Sequence, residues 1–198
     1  MSAKDWNQAY IDGETPWDKG TAAPPLKDWL KRNAMEGAIL ALGSGVGHDV
    51  RYLANYSEQV TGLDLSSRAT DLAQAYPLVN QERFICGDFF SPDLFEDIQF
   101  DWLYEHTFFC AIHPDLRMQY LDRILSLLKS NGELLGIFFL ETEGHSENFT
   151  EGPPFKVSKD FLLKFFSPKF QILEAYVPTE HYSCRPYGSE FVLRLKVK

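Results

Sequence analysis

The sequence is short of the features that direct a chain to a membrane or to a nucleic acid. It has no apolar run near the ~20 residues that span a bilayer, and Met1 to Trp6 contain no apolar signal-peptide core. Its 19 Lys and Arg residues stand against 28 Asp and Glu, for a formal net charge of −9. This charge disfavours a phosphate backbone or an anionic membrane surface as a partner. We therefore expect a small-molecule partner, with neither nucleic acid nor membrane.

Cysteine and metal-ligand patterns are sparse as well. The three cysteines, Cys86, Cys110 and Cys184, are widely spaced and form no C-x-x-C pair. An odd, scattered set of thiols is typical of a reducing compartment, so we expect a cytoplasmic protein without a disulfide framework. The five histidines show no metal-site spacing, so no metal is predicted.

The sequence also lacks internal repeats and low-complexity linkers. A chain of 198 residues, 44% of them hydrophobic, is long enough for one domain with a sizeable core. We therefore predict a single, monomeric domain over residues 1–198, in which residues 1–35 form an N-terminal lid or cap segment.

What the sequence does contain is an alternation of strand-like and helix-like segments. Strands are predicted near 38–42, 59–64, 83–86, 99–105, 133–140, 170–177 and 191–197, and helices near 5–10, 24–32, 47–55, 66–76, 114–129 and 158–166. This order predicts an α/β, Rossmann-like fold with a mostly parallel seven-stranded sheet and helices on both faces. The last segment alternates apolar and basic residues, which indicates one exposed face, at a sheet edge or in a C-terminal antiparallel hairpin.

Local signals mark three of the predicted helix ends. Pro24 and Pro25 suit a first helical turn, and Ser66 suits an N-cap position. The stretch Lys129-Ser130-Asn131-Gly132 predicts that the helix near 114–129 ends at a glycine stop.

The most informative segment is the apolar run 38–42 with the loop that follows it, Gly43-Ser44-Gly45-Val46-Gly47. Glycines let the chain turn sharply and let a ligand approach its backbone. Asp64, at the end of the next strand, is placed to accept hydrogen bonds from both hydroxyls of a ribose. A nucleoside cofactor is therefore predicted, with candidate contacts at Gly43, Ser44, Gly45, Asp64 and Leu65.

The spacing of this loop distinguishes between cofactors. A dinucleotide fingerprint is G-x-G-x-x-G, whereas this chain has G-S-G-V-G followed by His48 and Asp49. Asp49 falls in the first turn of a helix, where a carboxylate suits the helix dipole but repels a pyrophosphate. A nucleoside with an amino-acid tail fits better, so we predict S-adenosylmethionine as cofactor and S-adenosylhomocysteine as its product.

Further candidates follow the third and fourth predicted strands, because ligands in open α/β sheets bind outside the carboxyl ends of the strands. Asp88 is placed to accept the adenine amino group, and Phe89 either lies against the adenine ring or packs in the core. Glu105, His106 and Thr107 are expected to face the cofactor. His106 either acts as a general base or packs its ring against the cofactor, which we favour.

Aromatic residues precede the first strand. Trp6, Tyr10 and Trp17 offer ring faces that attract a cation such as the sulfonium of the cofactor. They form either a lid, which we favour, or anchors that hold the arm to the core. Pro154 and Phe155, which follow the polar stretch 141–150, are a candidate pocket wall, although ordinary loop variation explains them better when they are taken alone.

Several stretches together resemble the thiopurine S-methyltransferase superfamily, especially its thiol and halide methyltransferase branch. The resemblance runs from Trp6 to Val157 and rests on Trp6-x-x-x-Tyr10, Gly13-Glu14-Thr15-Pro16-Trp17-Asp18-Lys19-Gly20, Gly43–Asp49, Leu63-Asp64-Leu65-Ser66, Gly87-Asp88-Phe89-Phe90, Thr107-Phe108-Phe109-Cys110-Ala111-Ile112 and Gly152-Pro153-Pro154-Phe155. It implies a class I methyltransferase. The cofactor contacts that it implies are Trp6, Tyr10, Trp17, Gly43, Asp64, Asp88, Phe89 and His106.

The resemblance also implies that Arg117 faces the acceptor. Taken alone, this residue fits a solvent-facing arginine on a surface helix that starts after Pro114. His106 and Arg117 are the candidate catalytic residues. The candidate substrate contacts are Trp17, Phe108, Phe109, Arg117, Pro154 and Phe155.

The chain departs from the family pattern around both ligands. Leu42 and Ser44 stand where many relatives have proline and cysteine, and Tyr10 and His106 stand where plant-like relatives have tryptophan and tyrosine. The acceptor stays open among a thiol, a thiopurine, hydrosulfide, thiocyanate, a halide and a selenium or tellurium species. Two alternatives are a non-catalytic S-adenosylmethionine-binding module and, against the loop spacing, a nucleotide-dependent oxidoreductase.

Overall fold

The fold is built on one seven-stranded sheet, seen in a computed structural model that describes residues 4–140 and 152–198. The strands are β1 (Ile39–Leu42), β2 (Val60–Asp64), β3 (Arg83–Cys86), β4 (Phe100–His106), β5 (Leu128–Phe139), β6 (Phe170–Tyr176) and β7 (Glu190–Val197). They are ordered β3-β2-β1-β4-β5-β7-β6. The first five are parallel and β7 is antiparallel to both of its neighbours, which confirms the predicted fold class.

The described residues form six helices. They are α1 (Trp6–Asp12), α2 (Pro24–Leu30), α3 (His48–Leu53), α4 (Ser67–Ala75), α5 (Arg117–Leu127) and α6 (Lys159–Phe166). Two 3₁₀ turns, Phe109–Ala111 and Pro114–Leu116, lie between β4 and α5. The predicted polar stretch 141–150 lies outside the described residues. None of the helices described is long and apolar enough to cross a bilayer.

Each face of the sheet has its own apolar core. Leu103 of β4 packs with Ile124 of α5 and Phe166 of α6 on one face. Tyr104, the next residue, belongs to the opposite core, with Trp29 of α2. Because successive side chains of a strand point to opposite faces, β4 supplies both cores and lies near the middle of the sheet.

Two of the predicted helix starts are confirmed, and the predicted helix stop is wrong. Prolines occupy the first turn of α2, and the Ser66 hydroxyl accepts a hydrogen bond from the amide of Ala69 at 3.0 Å. The helix α5 ends earlier than expected, at Leu127, and Gly132 lies inside β5. Leu128 is buried and pairs with Phe100, so core packing starts the strand before the glycine is reached.

The position of the last strand also differs in part from expectation. The hairpin of β6 and β7 is confirmed, but the sheet edge is β6, and β7 lies between β5 and β6. Its basic residue Arg194 needs no open face, because its guanidinium binds Glu133 at 2.6 Å and Glu174 at 3.2 Å. Arg194 also lies over the ring of Trp102 at 5.4 Å.

The N-cap of α4 joins two helices and generates a stability prediction. Besides capping α4, the Ser66 hydroxyl donates to Asn7 Oδ1 of α1 at 2.9 Å. Ser66→Ala is expected to cost about 1–2 kcal/mol of unfolding free energy, because a cap and a hydrogen bond between two helices are both lost. Urea denaturation measures this cost.

Ser158→Ala is the matched control, because Ser158 caps α6 through Phe161. Loss of a cap alone is expected to cost about 0.5–1 kcal/mol. Equal costs for the two variants would mean that the bond to Asn7 contributes nothing to stability.

Candidate functional site

The glycine loop between β1 and α3 turns in a way that side chains rarely allow. Gly43, Gly45 and Gly47 have φ values of 58°, 53° and 84°. A Cβ at Gly43 would lie 2.6 Å from the ring of Phe108, and one at Gly47 would lie 2.4 Å from Phe84. The glycines are therefore required by both conformation and space.

Asp64 closes this loop from the end of β2. Its Oδ2 accepts a hydrogen bond from the amide of Gly45 at 2.8 Å, and its Oδ1 accepts one from Ser66 at 2.9 Å. Burial raises the pKa of this carboxyl above its ordinary value, against the effect of these hydrogen bonds. Each carboxylate oxygen has two acceptor positions, so both oxygens can still accept a further hydrogen bond from a ligand. Leu65, beside it, is 58% exposed.

The loop after β3 presents one of its two candidate residues to solvent. Asp88 is exposed, and its Oδ1 accepts a hydrogen bond from the amide of Phe90 at 2.9 Å. Phe89 is 4% exposed and packs against Phe108 and Tyr120 in the core. Of the two interpretations of Phe89, packing in the core is therefore the one that matches its surroundings.

The same loop is held by a residue that the sequence did not single out. Arg123 of α5 donates to the backbone carbonyls of Phe89 at 3.1 Å and Ser91 at 3.0 Å, and also bonds that of Leu94. No sequence pattern connects Arg123 to this loop, because the contacts join residues about thirty positions apart.

The N-terminal aromatic residues lie against the glycine loop. Trp17 Nε1 donates to the Tyr10 hydroxyl at 2.9 Å, and a Cβ at Gly45 would lie 2.8 Å from that hydroxyl. Trp6 and Trp17 pack edge to face at 5.2 Å. The ammonium of Lys4 lies 4.3 Å from the Trp17 ring centre, so these ring faces do receive a cation. Tyr10 is buried, which supports the anchor interpretation, and the lid interpretation stays a prediction.

Glu105 and His106 follow one another at the end of β4, so their side chains point to opposite faces of the sheet. The Glu105 side chain is fully buried, and its Oε2 accepts hydrogen bonds from the amides of Phe108 at 2.8 Å and Phe109 at 3.0 Å. Burial raises its pKa to about 7, although those two hydrogen bonds act in the opposite direction. Oε2 of Glu105 therefore caps the segment after β4, and the expectation that Glu105 faces the cofactor stays a prediction.

His106 lies between two carboxylates on the other face of the sheet. Its Nδ1 is 3.3 Å from Asp49 Oδ2, and its Nε2 is 3.1 Å from Glu190 Oε1, which Arg185 also contacts. Burial alone would lower the pKa of His106, but the hydrogen bonds to Asp49 and Glu190 raise it to about 8. A largely protonated imidazole is a poor base at neutral pH.

Asp49 lies in the first turn of α3, as the sequence predicted. From there its carboxylate contacts His106. Its carboxylate also accepts hydrogen bonds from the amide of Ala23 at 2.7 Å and the hydroxyl of Tyr104 at 2.8 Å. Burial opposes its ionisation, but the hydrogen bond and charge of His106 hold its pKa below the ordinary value.

Arg117, the first residue of α5, is buried rather than solvent-facing. It is 6% exposed, and its Nη2 donates to the carbonyl of Phe155 at 3.0 Å. Its guanidinium carbon lies 4.9 Å from the Phe109 ring centre and 5.2 Å from that of Phe161. Within residues 4–140 and 152–198, its Nε has no hydrogen-bond partner and no carboxylate pairs with it. The surface-helix interpretation of Arg117 is therefore wrong.

The other candidate substrate residues after β4 differ in burial, and two of them, Phe109 and Phe155, contact Arg117. Phe109 and Phe155 are buried, Phe108 is half-buried and Pro154 is exposed. In the part of the chain that the structure describes, no group of three histidine, cysteine or carboxylate side chains is arranged to hold a metal ion.

The site has the groups that S-adenosylmethionine, the cofactor predicted from the sequence, requires. Asp64 offers carboxylate oxygens for a ribose diol, and Trp6 and Trp17 offer ring faces for a cation. Exposed Asp88 remains the candidate acceptor for the adenine amino group.

Comparison with known proteins gives consistent matches. The sequence model of the family described as Thiopurine S-methyltransferase matches residues 1–185. "Probable thiol methyltransferase 2" of Arabidopsis thaliana is 33% identical over 84% of this chain and 73% of that protein, and "Thiocyanate methyltransferase 1" of Brassica oleracea is 34% identical over 77% and 67%.

The same fold occurs in a solved methyltransferase. The 1,6-didemethyltoxoflavin-N1-methyltransferase of Burkholderia thailandensis, solved with S-adenosylhomocysteine, has a TM-score of 0.71 at 20% identity, over 98% of this chain and 86% of that one. At this level of identity the likeness shows the fold.

The protonated state of His106 gives a pH-dependent stability prediction. A pKa of about 8, against an ordinary 6.5, means that its ion pairs stabilise the fold fully below about pH 6.5 and lose this effect as the pH rises through about 8. His106→Gln should therefore cost more unfolding free energy at about pH 6 than at about pH 8.5, by roughly 2 kcal/mol.

Thermal and urea unfolding at the two pH values measure this difference. His113→Gln is the control, because the side chain of His113 is 49% exposed. An equal cost of His106→Gln at both pH values would show that folding does not raise the pKa of His106.

Asp64 gives a binding prediction. Asp64→Ala should weaken S-adenosylhomocysteine binding about tenfold or more, because charge-assisted hydrogen bonds are worth about 1.5–3 kcal/mol each. Isothermal titration calorimetry measures the affinity, with Asp71→Ala on the exposed face of α4 as control. An unchanged affinity would remove Asp64 from the ribose site.

Proposed function

Because the chain belongs to the thiopurine S-methyltransferase family and is an S-adenosylmethionine-dependent methyltransferase, we propose that it methylates a small, soft nucleophile that reacts as an anion. The candidates are a thiol, a thiopurine, hydrosulfide, thiocyanate or a halide. Family membership favours this activity over a non-catalytic cofactor-binding module or a nucleotide-dependent oxidoreductase.

The observation that carries this proposal is the environment of Arg117. A buried guanidinium without a carboxylate partner is costly unless a counter-charge reaches it. Arginine stays charged at any working pH, so it holds an anion without a proton transfer. The rings of Phe109 and Phe161 pack against the same guanidinium, and such an apolar wall suits a weakly hydrated, polarisable anion better than a strongly hydrated one.

The roles of the chain's own residues follow from this arrangement. The bound cofactor supplies a methyl group on a positively charged sulfur. Asp64 and the glycine loop orient the nucleoside, the N-terminal aromatic residues attract the positive charge, and Arg117 orients the acceptor. Alignment of the two reactants and removal of water from the anion then account for most of the rate enhancement.

We also propose a cytoplasmic, monomeric protein. Support for the compartment comes from the cysteines, because all three are free thiols and Cys86 and Cys184 are exposed.

A methyl-transfer screen combined with an Arg117 variant tests the function. The protein should form S-adenosylhomocysteine with iodide, thiocyanate, hydrosulfide or a thiopurine, and not with an aliphatic amine. Arg117→Met should raise KM for the anions by about tenfold or more, since a charge-assisted contact is lost. It should affect a neutral thiol less and leave S-adenosylhomocysteine affinity unchanged.

Arg32→Met, which removes an exposed arginine at the end of α2, is the matched control. Unchanged KM values in Arg117→Met would place the acceptor elsewhere. Turnover of the amine, with none of the soft nucleophiles accepted, would refute the proposed acceptor class.

A further inference from the structure

Glu105 is a buried carboxylate, and only one of its two oxygens is hydrogen-bonded within the described residues. Its Oε2 caps the segment after β4 through the amides of Phe108 and Phe109. Its Oε1 is buried and has no hydrogen-bond partner among residues 4–140 and 152–198. An unpartnered carboxylate oxygen in an apolar interior is costly, so its retention calls for a ligand or a proton.

Two other incompletely paired polar groups pack on the ring of Phe109, the residue whose amide Glu105 binds. Within the described ranges, Arg117 Nε and the Tyr120 hydroxyl are buried and have no hydrogen-bond partner. The Tyr120 ring centre is 5.1 Å from that of Phe109, and the Arg117 guanidinium is 4.9 Å from the same ring. A carboxylate, a phenol and a guanidinium thus surround one aromatic segment, which is the segment proposed to line the acceptor pocket.

The charges around Glu105 come from several elements. The nearby titratable groups are His106 of β4, Cys110 of the 3₁₀ turn and Tyr120 of α5, with Arg117 and Arg185 acting on Cys110. Cys110 and Tyr120 are buried and their pKa values are raised by that burial, to about 12 for Cys110. Glu105, with a pKa of about 7, therefore changes its charge near neutral pH, as does His106, with a pKa of about 8, on the opposite face of the sheet.

We propose that Glu105 is a catalytic residue of the methyltransferase, the base that accepts the proton of a thiol acceptor on Oε1. This inference rests on the proposed function. The S–H bond breaks and its proton moves to Oε1. The thiolate then forms a bond to the methyl carbon while the bond from that carbon to the cofactor sulfur breaks. The products are a methyl thioether, S-adenosylhomocysteine and protonated Glu105, which releases its proton to solvent.

The raised pKa of Glu105, about 7, suits this role. A base works best when its pKa lies near the working pH, because it is then both ionised and strong enough to accept a proton. An ordinary glutamate would be a much weaker base toward a thiol, whose pKa is about 8.5. Halides and thiocyanate carry no such proton, so their methylation does not need this step.

Glu105→Gln separates the base from the structural cap. The glutamine carbonyl can still accept the amides of Phe108 and Phe109, but the side chain cannot take up a proton. With an aliphatic thiol, kcat/KM at neutral pH should fall by about a hundredfold or more. With iodide it should not fall. Thermal unfolding and S-adenosylhomocysteine titration check that the variant is folded.

The pH profile of the unmodified protein provides a test that needs no variant. With the thiol, kcat/KM should rise with pH up to about 7 and then level off below the pKa of the thiol itself. With iodide it should not rise. In Glu105→Gln the thiol profile should follow the ionisation of the free thiol.

The iodide reaction keeps the two proposals distinguishable. Equal losses with thiol and iodide in Glu105→Gln would assign Glu105 to structure alone, and no loss with the thiol would overturn its role as base. Failure of the unmodified protein to methylate any soft nucleophile would instead overturn the proposed function, and the inference with it.

Discussion

The arrangement of the site depends on the contacts that the carboxylate of Asp49 makes. It sits in the first turn of α3 and binds the amide of Ala23 in the N-terminal segment, the hydroxyl of Tyr104 and the ring of His106 on β4. Through His106 the network continues to Glu190 on β7. One buried charge thus joins the arm, the helix after the glycine loop, a central strand and the C-terminal hairpin. Because a buried carboxylate is tolerated only when paired, these segments are held in a fixed relation.

Strand alternation at the end of β4 divides the site into two chemical environments. His106 points to the face of α3 and is kept charged by carboxylates, whereas Glu105 points to the face of α5 and is pushed toward neutrality by burial. Both neighbouring residues therefore have raised pKa values, about 8 for His106 and about 7 for Glu105, but for different reasons. The face of His106 is an ion cluster with no net charge, which serves structure. Among the described residues, the face of Glu105 contains three buried polar atoms without a partner, Glu105 Oε1, Arg117 Nε and the Tyr120 hydroxyl, and it is the face on which we propose that the acceptor binds.

The sequence predicted the mostly parallel seven-stranded sheet with its C-terminal hairpin and the glycine loop followed by Asp64, because these rest on local spacing and on the periodicity of apolar residues. The predictions were wrong or incomplete where contacts between residues far apart in the sequence determine the structure. Gly132 is a good helix stop by composition, but the pairing of β5 with β4 overrides it. The role of Glu190 was not foreseeable, since it meets His106 across 84 positions. Taken alone, the sequence around Arg117 indicated a surface residue. In the structure Arg117 is buried, because Phe109 and the carbonyl of Phe155 pack against it.

In the acceptor site that we propose around Arg117 and Glu105, charge is balanced differently for the two kinds of acceptor. When a neutral thiol enters beside Arg117 and ionised Glu105, proton transfer gives a thiolate, Arg117 and neutral Glu105, so the total buried charge does not change. A permanent anion such as iodide would add a negative charge beside an ionised Glu105, and it is accommodated best when that carboxyl is protonated. A carboxyl with a pKa near 7 takes either form at little energetic cost. The proposed pocket can therefore serve both kinds of acceptor. With a thiol, Glu105 takes up the proton that the thiol loses. With a permanent anion, Glu105 is already protonated and adds no second negative charge.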